Sequence, residues 1–261
     1  MFAILSRDRE AASDGLLADI AAEARRIVQA AARSSIPLRL IGGLAIRLHG
    51  PDVPHPALAR DYKDIDLVTS RAADRQASDL LVSIGYEANP SFNTLNTGRR
   101  GLFYDRRNGR QLDLFVDTFE MCHKIPIAAR LELDPVTVPL AELLLTKLQI
   151  VRLNDKDLKD TVALLLEHEI SDGDVDTVNA SYIANLCARD WGLWRTCTLS
   201  IERAGAMLER FDVSVEERTL VRERLGVLGS RIEAEPKSQR WKLRSRIGER
   251  IRWYLEPEEV A

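Results

Sequence analysis

The chain has 261 residues, 45% of them apolar, and a net charge of −3 from 37 Lys and Arg against 40 Asp and Glu. That length buries a large core in one long or two short domains, and the near-neutral charge excludes a general polyanion binder, leaving only local basic patches. Three scattered cysteines (Cys122, Cys187 and Cys197) have no metal-finger or CxxC spacing, no segment approaches the ~20 apolar residues of a membrane span, and the first residues turn charged at Arg7 before a signal-peptide run develops, so a cytoplasmic protein is expected.

In chain order, 11–33 is alanine-rich with Leu17, Ile20, Ala24 and Ile27 at helical spacing, which predicts an amphipathic helix. A strand over 37–41 runs into Gly42-Gly43 and a short helix over 44–49. A second strand, 65–68, is opened by Asp64 and Asp66. A helix over 70–84 follows, with Ser70 as its N-cap and Gly85 at its end. Two strands, 102–104 and 112–116, flank Asn108-Gly109, a two-residue hairpin signal. Pro139 fits the first position of a helix reaching about 152. Further helices are expected over 157–167, 177–188, 197–211, 215–228 and 241–254, and the strand signals stop near Pro139. The pattern predicts an α+β fold: a small mixed-sheet domain over 1–138, followed by an all-α helical domain over 139–261.

Chemistry concentrates between Leu38 and Asp66. Residues two apart on a strand share a face, so Asp64 and Asp66 project side by side while Ile65 points into the core. Paired carboxylates repel unless a cation lies between them, and Mg²⁺ (or Mn²⁺) is the hard ion that also brings substrate phosphates. The diglycine permits a sharp turn and close approach of a ligand, and the helix it opens favours phosphate. On the later strand Asp113 faces away from Leu112, Leu114 and Val116 and offers a third carboxylate, as metal ligand or as base for an acceptor hydroxyl. Asp117 shares that face and competes with it, or simply ends the strand in solvent. Lys147 shares a helical stripe with Leu140, Leu143, Leu144 and Val151; it must either snorkel out or meet an anion. Asp157 and Asp160 lie one helical step apart, as site acids or as helix N-terminal charge.

Taken together, Gly42-Gly43, Asp64-x-Asp66 and Asp113 resemble the polymerase-β-like nucleotidyltransferase superfamily. Ile41-Gly42-Gly43-Leu44-Ala45 with Leu48-His49-Gly50, and Arg60 four residues before Asp64, is more closely similar to the AbiE-type toxins, the nucleotidyltransferases of type IV toxin–antitoxin systems. The run 143–148, followed by Lys156-Asp157-x-x-Asp160, resembles that family's helical motifs; Tyr62 departs from it, standing where a small hydroxyl residue is expected. The resemblance covers 38 to about 166. It implies transfer of a nucleoside monophosphate from an NTP to an acceptor hydroxyl, with release of pyrophosphate. Asp64, Asp66 and Asp113 would hold the metal and carry catalysis, and Gly42, Gly43, Arg60, Lys147, Asp157 and Asp160 would hold the NTP. A tRNA or other RNA end is the implied acceptor and a cognate antitoxin the implied partner. The alternatives are a small-molecule, aminoglycoside-type nucleotidyltransferase, or a catalytically idle nucleotide-binding or antitoxin-like module.

Among the remaining residues, the four histidines show no metal-ligand spacing, and Trp191 and Trp194 read as helix-packing residues. Two basic clusters suit a polyanion: Arg99, Arg100, Arg106, Arg107 and Arg110 around the hairpin, and Lys237, Arg240, Lys242, Arg244, Arg246, Arg250 and Arg252 in the tail, the latter interleaved with Trp241 and Trp253.

Overall fold

A computed structural model describes residues 15–256. The start of the expected 11–33 helix and the charged opening segment lie outside them. Helix α1 (Ile20–Arg33) begins where Asp19 accepts a hydrogen bond from the Ala22 amide, and it buries Ala24, Ile27, Val28 and Ala31. Strand β1 (Leu38–Ile41) is wholly buried and passes without a loop into α2 (Gly42–His49). Then come β2 (Asp64–Thr69), α3 (Asp74–Ser83), β3 (Glu87–Ala88), α4 (Pro90–Leu95), β4 (Arg100–Asp105) and β5 (Arg110–Val116). Strands β1 to β5 form a mixed sheet in the order β1-β2-β5-β4-β3, in which only the β2–β5 pair is parallel. A small hairpin, β6 (Thr118–Glu120) with β7 (Lys124–Pro126), extends from it.

Helices dominate the rest: α5 (Leu140–Leu148), α6 (Asp155–Glu167), α7 (Ala180–Arg189), α8 (Trp191–Met207), α9 (Val215–Ala234) and α10 (Gln239–Ser245). An all-α second half does not hold, because β8 (Glu169–Ser171) and β9 (Thr177–Asn179) pair in parallel. One apolar core runs from Ala24 to Ile232, and α2 packs on both α5 and α6 across the 138/139 boundary. No helix among the described residues is long and apolar enough to cross a membrane.

Several expected boundaries move, each for a local reason. Ser70 does not cap α3; Asp117 accepts from the Arg71 amide at 2.8 Å and ties that turn to the strand end instead. The hairpin turn spans four residues, since Asp105 Oδ1 accepts from the Asn108 amide and Gly109, at φ +64°, completes it. Pro139 is the N-cap of α5 rather than its first residue, and the helix stops at Leu148, well short of 152. The segment 177–188 opens as strand β9 and becomes helix only after Asn179. Asp190 caps α8, which starts at Trp191, six residues before the expected start of that helix. The 241–254 helix ends at Ser245: Gly248 takes φ +59°, and Arg244 donates to the Gly248 and Ile251 carbonyls, satisfying the turn that leaves the helix.

Candidate active site

The site grows from the junction of β1 and α2. The chain leaves Ile41 extended and turns at Gly42, whose φ of +79° is one that glycine adopts without strain. A Cβ on Gly42 would stand 2.5 Å from Asp66 Oδ2; one on Gly43 would stand 1.8 Å from Arg60 Nη2 and 2.7 Å from Asp160 Oδ2. The two glycines therefore let the first amides of α2, with their unsatisfied N–H groups and positive dipole end, lie directly against charged side chains.

Strand β2 brings the carboxylates. Its parallel register with β5 sets Asp64 opposite Gln111 and Asp66 opposite Asp113, so all three acids share one sheet face. Asp113 is buried and already engaged. Arg100 Nε and Nη2 approach its Oδ1 at 2.7 and 2.6 Å, and Gln111 Nε2 donates to its Oδ2 at 2.8 Å. Asp66 has no hydrogen bond or ion pair among the described residues. Burial, then the charge of Asp113, push its carboxyl up to about 7; Lys147 and Arg100 pull against that rise, and Asp64 adds to it. Asp64, at the solvent-facing end of β2, is raised too, by the part of it that is shielded and then by Asp113.

The helical side supplies cations. Lys147 does not snorkel: it is 8% exposed, and its Nζ lies 2.9 Å from Asp160 Oδ2 and 3.4 Å from Asp157 Oδ1. Asp157 also completes a capping box with Asn154 at the start of α6, so its helix-capping and lysine-pairing roles coexist. Arg60 reaches Asp160 through both Nε and Nη2, at 2.8 and 2.7 Å, and lies 4.0 Å over the ring of Tyr62. Asp160 thus joins two cations immediately beside the diglycine turn.

The residues expected at the site do converge: Gly42, Gly43, Arg60 and Asp160 on one side, Asp64, Asp66 and Asp113 on the other, with Lys147 and Asp157 behind. Asp117 does not join them. It stands beyond β5 at φ +63° and holds Arg71. Two partners went unforeseen, Arg100 and Gln111. Arg100 read as part of a basic patch, yet its register, two residues from the Leu102 that faces Asp113, places it diagonally against that carboxylate. Arg110, from the same basic cluster, is equally unavailable to a polyanion, being buried against Asp105. His123 is structural: burial lowers it to about 4, and its Nε2 is 2.8 Å from Thr196 Oγ1.

No group of three or more His, Cys, Asp or Glu among the described residues is drawn together to hold a metal ion, since Asp113 is turned to Arg100 and Gln111. The donor chemistry nevertheless fits a hard divalent cation. Asp66 is an uncompensated carboxylate whose Oδ2 faces a position that only a glycine leaves free, and Asp64 lies on the same face. No protein-family model matches the chain, and no curated protein matches it.

Proposed function

We propose that this protein is a nucleotidyltransferase that moves a nucleoside monophosphate from an NTP to an acceptor hydroxyl and releases pyrophosphate. The observation that carries the reading is the packing of Asp66, itself opposite Asp113, against the Gly42 turn at a helix N-terminus, with Lys147 and Arg60 close by. On this reading the five-stranded mixed sheet with α2 is the nucleotidyltransferase domain, and the helices after 139 form its helical partner.

Each group then has a task. The Gly42 and Gly43 backbone approaches the triphosphate, and the α2 amides face its negative charge. Arg60 and Lys147 offset phosphate charge while Asp160 and Asp157 hold them in place. Asp64 and Asp66 would hold Mg²⁺, which when bound neutralises phosphate charge and organises the in-line displacement. Asp113 faces the acceptor hydroxyl, where it accepts the departing proton once Arg100 releases it. The RNA end and the antitoxin partner implied by the resemblance belong to this same reading.

The test is incubation of purified protein with each α-labelled NTP, Mg²⁺ and two acceptor pools, total RNA and small hydroxylated amines, while pyrophosphate is followed. The expected result is label in one pool with stoichiometric pyrophosphate, abolished by Asp64→Asn. Activity that persists in that variant or in EDTA overturns the reading.

A further inference from the structure

The Trp–Arg cluster of the tail is built into a pocket. A cavity of about 150 Å³ opens between the end of α7, the start of α8, α10 and the tail. Three tryptophans, Trp191, Trp241 and Trp253, and three arginines, Arg189, Arg240 and Arg244, line it with Gly192 and Asp190, whose carboxylate is taken up by the Gly192 and Leu193 amides at the start of α8. The frame is firm: the Ser238 amide donates to the Ala188 carbonyl at 2.9 Å, and a Cβ on Gly192 would stand 2.6 Å from the Trp253 carbonyl oxygen. Trp253 gives its indole N–H to Thr196, whereas the indole N–H of Trp241 is buried with no acceptor. Arg244 lies 4.7 Å over the ring of Trp191 and is spent on tail carbonyls. Arg189 and Arg240 are exposed and make no ion pair or hydrogen bond among the described residues. Tryptophan rings beside two unmatched guanidiniums in one small pocket are the complement of a nucleobase and its phosphate.

The tail carries this pocket towards the carboxylates. Two residues beyond Trp253, the Leu255 amide donates to the Cys122 carbonyl at 2.9 Å. Leu255 and Glu256 line a second cavity, of about 440 Å³, together with Arg71, Arg99, Arg100 and Lys124. Arg100 is the residue that holds Asp113. At most ~7 Å of extended chain separates Trp253 from Leu255, so the tail links a wall of one cavity to a wall of the other. In the larger one Asp117 and Glu120 already match Arg71, Arg99 and Lys124. The unmatched positive charge is therefore at the tryptophan end, where a strand would be gripped rather than reacted.

We propose that the pocket between α7, α8 and α10 docks an unpaired nucleotide of a single-stranded polynucleotide and directs the strand through the larger cavity to Asp113. The docking stands on the pocket alone; the direction of the strand rests on the nucleotidyltransferase reading.

The test uses the full chain with fluorescein-labelled 12-mers of single-stranded RNA, single-stranded DNA and duplex RNA, without NTP or Mg²⁺, over a salt series. Single strands should bind and quench tryptophan fluorescence, and should bind at least about tenfold more tightly than duplex, whose bases are not free to stack. Arg189→Glu with Arg240→Glu, two exposed positions that leave the fold intact, should weaken binding at least about tenfold and flatten the slope of log affinity against log salt by about one to two. Trp241→Ala should reduce the quench, since Trp191 and Trp253 also line the pocket; because Trp241 also packs 5.1 Å from Trp194, the arginine pair decides if that variant fails to fold. Equal affinity for duplex and single strand, or wild-type binding by the arginine double variant, overturns the proposal. Binding here, together with no label entering either acceptor pool in the separate α-labelled NTP assay, would sink the enzymatic reading and leave the docking site standing.

Discussion

Asp66 and Asp113 face each other across the parallel β2–β5 ladder, and only Asp113 is neutralised, by Arg100 at 2.6 Å. The asymmetry makes Asp66 the strained member of the pair. Its carboxyl lies at about 7 in the folded chain against 3.8 for an ordinary aspartate.

A pH dependence of stability follows. The folded state binds the Asp66 proton more tightly than the unfolded state does. The stability this group contributes is therefore fully present below about pH 3.8, is lost as pH rises towards about 7, and changes no further above that. Asp66→Asn keeps the shape and discards the charge. It should be more stable than wild type at pH 8, by something on the order of 1–4 kcal/mol, with the gap closing towards pH 4. Urea unfolding of both proteins at several pH values measures it. A constant difference at all pH values would mean that the charge of Asp66 is matched in some other way.

Mg²⁺ should act on the same carboxylate. At pH 8 the ion competes with nothing at Asp66 and relieves its repulsion with Asp64 and Asp113. Saturation to about ten times the dissociation constant stabilises by roughly 1.4 kcal/mol, which is a rise in Tm of about 2–4 °C for a chain of this size. The rise should vanish in Asp66→Asn and shrink at pH 5, where the proton holds the site. An identical rise in wild type and variant would place the ion elsewhere.

Gly43 and Arg60 should behave as one unit. A Cβ at Gly43 would take the place of Arg60 Nη2, 1.8 Å away. Gly43→Ala must therefore expel the guanidinium and break its two bonds to the buried Asp160, a loss of about 1–3 kcal/mol. Once Arg60→Ala has removed that guanidinium, adding Gly43→Ala should cost less, the remainder being the 2.7 Å approach of the new Cβ to Asp160 Oδ2. A double-mutant cycle on unfolding free energies reads the coupling directly. Additive costs would mean that the contact with Asp160 or the backbone at Gly43, not Arg60, sets the penalty.

What could be read from the sequence, and what could not, divides along the same physical line. Period-two alternation and the run of two glycines located Asp64, Asp66, Asp113 and the turn against them, because backbone geometry alone dictates where those groups point. The three-residue step from Asp157 to Asp160 put both on one face of α6 for the same reason, but that this face meets Lys147 comes only from the structure. Side-chain pairing across elements was not legible. Nothing local to Arg100 says that it serves Asp113 rather than a polyanion, and nothing local to Arg110 says that it is buried against Asp105. Boundaries moved where a distant side chain supplied the cap or the tie, as Asp117 does for the turn before α3. The strands β8 and β9 are three residues each, too short for a periodic signal.

Lys147 offers a test in which size and charge separate. Its ammonium is buried between Asp157 and Asp160. Lys147→Met fills the same volume but leaves two buried carboxylates short of a partner. Arg60 continues to serve Asp160, so the cost should fall somewhat below the ~3–5 kcal/mol of a fully broken buried pair, at about 1–3 kcal/mol. A labelled NTP should also bind more weakly to Lys147→Met if the lysine faces phosphate. Unchanged stability would mean that the lysine escapes to solvent; lost stability with unchanged NTP affinity would make it purely structural.

Arg100 decides how Asp113 becomes available. Both of its donors converge on one carboxylate oxygen, and the residue is also a wall of the larger cavity. A divalent ion that recruits Asp113 must first displace this guanidinium, giving up a charge-assisted bond of roughly 1.5–3 kcal/mol. Arg100→Gln removes that competitor and a nearby positive charge. The metal-free protein should lose about 1–3 kcal/mol of stability, because buried Asp113 keeps only Gln111 as a partner. The same variant should bind Mg²⁺ about tenfold more tightly, read at pH 8 as a lower midpoint in the titration of Tm against Mg²⁺. Asp113→Asn in the Arg100→Gln background should return the midpoint towards that of wild type, since the recruited oxygen is then neutral. An unchanged midpoint in Arg100→Gln would confine the metal to Asp64 and Asp66 and leave Asp113 to the acceptor hydroxyl alone.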